Sequence, residues 1–114
     1  MIQIIGRNSD RETKKAIMHL KEHGYEFQFL DLDKRDLSKK EWLAILSSVN
    51  DANDLINKKS KFYIKHGYEW MEYDPLEAII AHPEMLTIPI IRKESKARVG
   101  FDMDFVKELL KCNI

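Results

Sequence analysis

The amino-acid sequence predicts an α/β fold: a four-stranded mixed sheet with helices on both faces, and a helical insert between a β-α-β half and a β-β-α half. Three observations carry this expectation. The first 30 residues run strand, helix, strand, the size of one right-handed crossover unit. Short capped helical stretches follow, from about residue 38 to about residue 86. The chain then returns to a β-branched run, a polar turn, a second strand and a last amphipathic helix.

Met1 to Ile5 is a short apolar run closed by Gly6 and reads as a buried strand. Ser9 and Glu12 have capping-box spacing, with Ser9 as the predicted N-cap. Ala16, Ile17 and Leu20 form the apolar face of the first helix, and Gly24 is its expected C′ residue. Tyr25 to Leu30 alternates Tyr25, Phe27 and Phe29 with Glu26 and Gln28, the pattern of a strand. Asp31 to Arg35 is a charged connection. Ser38 and Glu41 form a second capping-box pair, and Trp42, Leu43, Ile45 and Leu46 supply the next apolar stripe.

Asp51 to Asn57 is a polar break around the apolar pair Leu55-Ile56. Ser60 to His66 predicts a short helix stopped by Gly67. Asp74-Pro75 places an acid at the N-cap and proline at the first helical position, with Glu77 completing the box. The expected apolar face there is Leu76, Ala78, Ile79, Ile80 and Met85, with His82-Pro83 near the end. Ile88-Pro89-Ile90-Ile91 reads as a strand, Lys93 to Ser95 as a turn, and Lys96 to Phe101 as the last strand. Asp102 is positioned to cap a helix carrying Phe105, Val106, Leu109 and Leu110. There is no internal repeat, low-complexity tract or linker. This order of elements is that of the thioredoxin fold.

At 114 residues the chain suits a single domain, 1–114. Lysine plus arginine and aspartate plus glutamate are each 19, so the net charge is zero, which argues against a bulk electrostatic binder of nucleic acid. A single cysteine excludes an intrachain disulfide, a CxxC redox pair and a cysteine-rich zinc site. With no apolar run near the length of a membrane span and no signal-peptide core before Arg7, the expected setting is cytoplasmic, with no membrane contact.

A proline inside Ile88-Pro89-Ile90 is odd for a strand, because it donates no ladder hydrogen bond; at the start of the third strand of this order it suggests a cis proline beside a site. With Lys14-Lys15-Ala16, Asp54-Leu55-Ile56-Asn57-Lys58-Lys59-Ser60, His82-Pro83, Pro89-Ile90-Ile91 and Val99-Gly100-Phe101 in this order and spacing, the chain resembles the arsenate reductase and Spx family over nearly its whole length.

The resemblance implies a nucleophilic cysteine at the start of the first helix, where unpaired N–H groups favour a thiolate, and often a second cysteine three residues on. Here those positions hold Asp10 and Thr13. The family's insert arginine is Lys59, and the arginine before the cis proline is Ile88. The degenerate site is therefore Asp10, Thr13, Lys59, Ile88 and Pro89, with no catalytic residue of the usual kind; Asp10, Arg11, Lys59 and Pro89 are the candidate binding positions. Asp10 reads in two ways: an acid in the first helical turn interacting with the macrodipole, or a repurposed carboxylate paired with Lys59. An exposed pair of that kind would contribute only about 0–1 kcal/mol. Either way a carboxylate stands where an oxyanion would sit, so no arsenate binding is expected. The one thiol, Cys112, is far along the sequence from this loop and reads as a packed small residue.

Two function classes follow. The first is a non-catalytic member of the family with a binding or regulatory role and a protein partner. The alternative is a divergent glutathione- or thiol-linked oxidoreductase with a different mechanism. No cofactor is implied. His19 and His23 share a helix face but have no evident third ligand, so no metal site is expected. The aromatics Phe62-Tyr63 and Tyr68 to Tyr73 read as insert packing or as a partner surface. The Spx branch implies docking on RNA polymerase around a glycine before the insert motif; Asn50-Asp51-Ala52-Asn53 lacks that glycine.

Overall fold

The structure, a computed structural model, describes residues 1–111. Its elements in chain order are β1 (Ile2–Gly6), α1 (Arg11–Glu22), β2 (Phe27–Asp31), α2 (Lys39–Ser47), α3 (Lys61–Lys65), α4 (Pro75–Ala81), β3 (Ile90–Lys93), β4 (Lys96–Val99) and α5 (Met103–Lys111). Two compact units emerge, one of Met1–Ser48 with the chain from Ile88 onward, the other of Val49–Thr87.

In the first unit the strands form one open mixed sheet in the order β2-β1-β3-β4. β1 pairs parallel with β2, and β3 runs antiparallel to both β1 and β4. β1 is central and buried along its whole length, on both faces, so its one polar side chain, Gln3, needs a hydrogen-bonding partner. Ile2, Ile4 and Ile91 pack on one face with Ala16 and Leu20 of α1 and Phe105, Val106 and Leu109 of α5. On the opposite face, one residue along β1, Gln3 donates to Glu41 of α2 at 2.6 Å. Helices thus lie on both faces, and the thioredoxin-like α/β expectation holds.

Several local expectations hold with visible causes. α1 ends in a Schellman motif: Gly24, at φ 71°, donates to Lys21 O, and Tyr25 N–H reaches back to Leu20 O. Ser38 and Glu41 make both bonds of a capping box. Asp102 Oδ1 accepts from the Asp104 and Phe105 N–H groups at the start of α5.

Others are corrected. The N-cap of α1 is Asp10, not Ser9, so Asp10 is outside the first helical turn and caps it. α2 buries Glu41, Ala44 and Ile45, whereas Leu43 is 58% exposed, because the charged Glu41 is held by polar partners on the sheet side. Ile80 is likewise exposed on α4. β3 begins only at Ile90: Pro89 has no N–H for the ladder, and the Ile88–Pro89 bond is cis. Lys93 extends that strand, leaving the turn to Glu94 and Ser95.

The second unit is built from short capped turns. A 3₁₀ turn at Ala52–Leu55 leads to α3, capped by Ser60 and ended before Gly67 at φ 68°; a second 3₁₀ turn, Tyr68–Trp70, precedes α4. Asp74 caps α4 by accepting from Leu76 and Glu77, with Pro75 at the first helical position. An Ile56–Leu86 bridge, flanked by Asn57 N–H to Met85 O and Thr87 N–H to Leu55 O, both 2.7 Å, ties the unit's ends together. Among the described residues no helix is long and apolar enough to cross a membrane.

Candidate functional site

The sheet topology brings the β1–α1 loop and Pro89 to the same end of the sheet. Ile5 lies opposite Ile90, so Gly6 and Pro89 are the next residues out on neighbouring strands. Gly6 O accepts from Leu32 N–H at 2.8 Å, and Arg7 pairs with Asp33 at 3.1 Å, which anchors the loop to the end of β2. A turn then closes between Arg7 O and Asp10 N–H at 2.9 Å and delivers Asp10 to the start of α1.

There Asp10 Oδ2 accepts two hydrogen bonds from one residue, the Thr13 N–H and the Thr13 hydroxyl, each 2.8 Å. Thr13 is fully buried. It packs so closely on the strand end that a Cβ on Gly6 would overlap its hydroxyl and lie 2.7 Å from its methyl carbon. The two positions that the resemblance assigns to sulfur chemistry are thus joined to each other by hydrogen bonds. Asp10 supplies the capping acceptor that Ser9 was expected to supply, and an aspartate three residues before a threonine was the legible signal for it.

Of the remaining positions, Arg11 is exposed at the first helical residue. Pro89 is buried, its carbonyl accepting from Gly100 N–H at 2.7 Å, and Ile88 is half-buried. Lys59 belongs to the second unit, where it is exposed and its N–H donates to Asn57 Oδ1 at 3.0 Å. Cys112 lies outside the described residues. His19 stacks on Phe101 at 5.3 Å and His23 on Tyr25 at 5.9 Å, so each imidazole has an aromatic neighbour of its own.

A polar network centred on Glu41 lies on the α2 face of the sheet. Glu41 takes a bidentate bond from Arg35 at 3.0 and 2.9 Å, the Ser38 N–H at 2.8 Å and the Gln3 amide. Gln3 in turn accepts from Arg92 Nε at 2.7 Å. Burial pushes the Glu41 carboxyl up, but the Arg35 fork and the other donors outweigh it and hold it at about 2. The capping-box spacing located Glu41 in the sequence, but its bonds from Arg35 and from the distant Gln3 depend on the fold.

The arrangement at the sheet end is a capped helix start with a carboxylate seated on it, and no residue of the described chain offers a thiol. A model described as the ArsC family matches residues 7–109, a span covering both units. The chain belongs to the ArsC family. Its curated relatives include proteins named global transcriptional regulator Spx: one from Streptococcus pyogenes serotype M3 is 28% identical over 96% of this chain and 85% of its own length. Another, from Enterococcus faecalis, is 28% identical over 100% of this chain and 89% of its own. Among solved structures, an arsenate reductase from Vibrio cholerae superposes with a TM-score of 0.73 at 18% identity, covering 95% of this chain and 96% of that one. An arsenate reductase related protein from Brucella melitensis does so at 0.69 and 24%, covering 96% and 94%. These neighbours share the fold of this arsenate reductase/Spx-like chain.

Proposed function

We propose that this family member works by binding a protein partner, in a regulatory role, and not by thiol catalysis. The observation that carries the reading is the Asp10 carboxylate at the α1 N-cap, held by both donors of Thr13. Thiol-linked reduction needs a sulfur that attacks and a second that resolves; a hydrogen-bonded carboxylate and hydroxyl supply neither. The carboxylate also opposes an oxyanion at this helix start, so arsenate and phosphate are not its ligands. The naming of sequence relatives as transcriptional regulators supports the regulatory reading. In this reading Asp10, Arg11, Lys59 and Pro89 are binding positions, and the two units act as one domain, in keeping with a family match that spans both.

The test is turnover of arsenate, and of a glutathione mixed disulfide, with glutathione and glutaredoxin supplied. The expected rate is that of the same mixture without this chain; turnover above that baseline overturns the proposal. Asp10→Cys probes the loop separately. If the helix start keeps its electrostatics, the new thiol titrates below the ordinary value of about 8.5.

A further inference from the structure

The second unit carries a run of cations that the fold does not use. From Leu55 to Tyr68 the chain has Lys58, Lys59, Lys61 and Lys65 and no aspartate or glutamate. All four lysines are exposed, and none has an ion-pair partner among the described residues. Four cations elsewhere are ion-paired, Arg7 with Asp33, Lys15 with Glu12, Arg35 with Glu41 and Arg98 with Asp102; what distinguishes this segment is four lysines within eight residues and no acid among them. Lys61 and Lys65 stand one turn apart on α3, a like-charge spacing that disfavours the helix. Ile64, 59% exposed, sits between them on the same face, while Tyr63 is buried and turned away. Phe62 is covered by His66 and His82, with ring centroids at 4.2 and 4.7 Å, so the underside of this short helix is firmly packed.

We propose that the Lys58–Lys65 face is a docking surface for an acidic polypeptide segment that carries aliphatic side chains among its carboxylates. This deepens the binding role proposed above and rests on it. Four unpaired ammoniums call for an anionic partner. The exposed Ile64 gives an aliphatic side chain a place to pack, which a phosphate backbone would leave unused. A chain of zero net charge has no overall positive field with which to gather a long polyanion.

The test uses the full chain and fluorescence anisotropy with three labelled probes: a peptide of repeated Glu-Glu-Leu triplets, its Gln-Gln-Leu counterpart and a DNA duplex. The Glu-Glu-Leu peptide should bind, more weakly as salt rises, and the glutamine peptide should not. K61E/K65E should weaken binding roughly tenfold or more, I64S should weaken it without changing its salt dependence, and K14E on α1 should leave it unchanged. Should K61E/K65E fail to fold, K58E/K59E, placed before the α3 cap, must show the same loss. The proposal is overturned if the acidic peptide does not bind, if both peptides bind alike, or if the charge reversals leave binding intact. It is also overturned if DNA binds more tightly than the peptide with the same lysine dependence. Arsenate turnover, by contrast, bears only on the non-catalytic reading.

Discussion

The side chain of Thr13 occupies the space that a Cβ on Gly6 would fill, so the first turn of α1 is seated directly on the end of β1. Gly6 is needed here for close approach, not for an unusual backbone angle. Gly6→Ala should destabilise the fold by about 1–3 kcal/mol, the usual cost of overpacking. Urea unfolding of Gly6→Ala and of Gly6→Ala/Thr13→Ala measures it: the double variant should recover part of the loss, and additive losses would show that the contact is not the cause.

Asp10 is the side-chain N-cap of α1, accepting from Thr13 N–H. Asp10→Ala should therefore cost about 0.5–2 kcal/mol, and Asp10→Ser much less, because serine also caps. A Ser9→Ala variant should be close to neutral. Thermal unfolding of the three ranks them, and a larger loss for Ser9→Ala than for Asp10→Ala would restore the serine as the cap.

Glu41 governs the acid limb of stability. Its carboxyl is held at about 2 against an ordinary 4.5. The folded state thus binds this proton less readily than the unfolded chain, so the stabilisation is complete above the ordinary value and fades as pH falls toward the folded one. The shift corresponds to roughly 3 kcal/mol, lost between about pH 5 and about pH 2. Urea midpoints over that range should fall for the native chain and fall less steeply for Glu41→Gln. Parallel slopes for the two would place the acid sensitivity elsewhere.

Tyr73 should mark the alkaline limb. Burial raises its phenol first, and the neighbouring Tyr63 hydroxyl, 3.5 Å away, and Tyr68 add to the effect, pushing it up to about 12. The folded state keeps this proton longer than the unfolded chain, so the contribution is intact below the ordinary 10.0 and is lost as pH rises above it. Tyrosinate absorbance should show a late-ionising phenol that disappears in Tyr73→Phe. Unchanged titration in that variant would refute the assignment.

Much of this was legible where the signal is local. The caps at Ser38, Asp74 and Asp102 and the helix stops at Gly24 and Gly67 depend on residues within a few positions of each other, and the structure keeps them. The cap of α1 was misplaced by one residue because Ser9 and Asp10 are both good capping types. The turn from Arg7 O to Asp10 N–H chooses between them, and that turn depends on Gly6 and Arg7 being tied to β2.

The sequence by itself determined the fold class, the family pattern and the absence of sulfur from the β1–α1 loop, because periodicity, capping chemistry and residue identity are written along the chain. Only the tertiary structure decided that Asp10 and Thr13 are bonded to each other, that Gly6 must lack a side chain, and that Glu41 is a buried charge with Gln3 and Arg35 as partners. Those facts depend on strand register and on which helix covers which face, where residues far apart in sequence must share one small volume. Hydrogen-bond satisfaction of a buried group is set by that shared volume and not by neighbours in the chain.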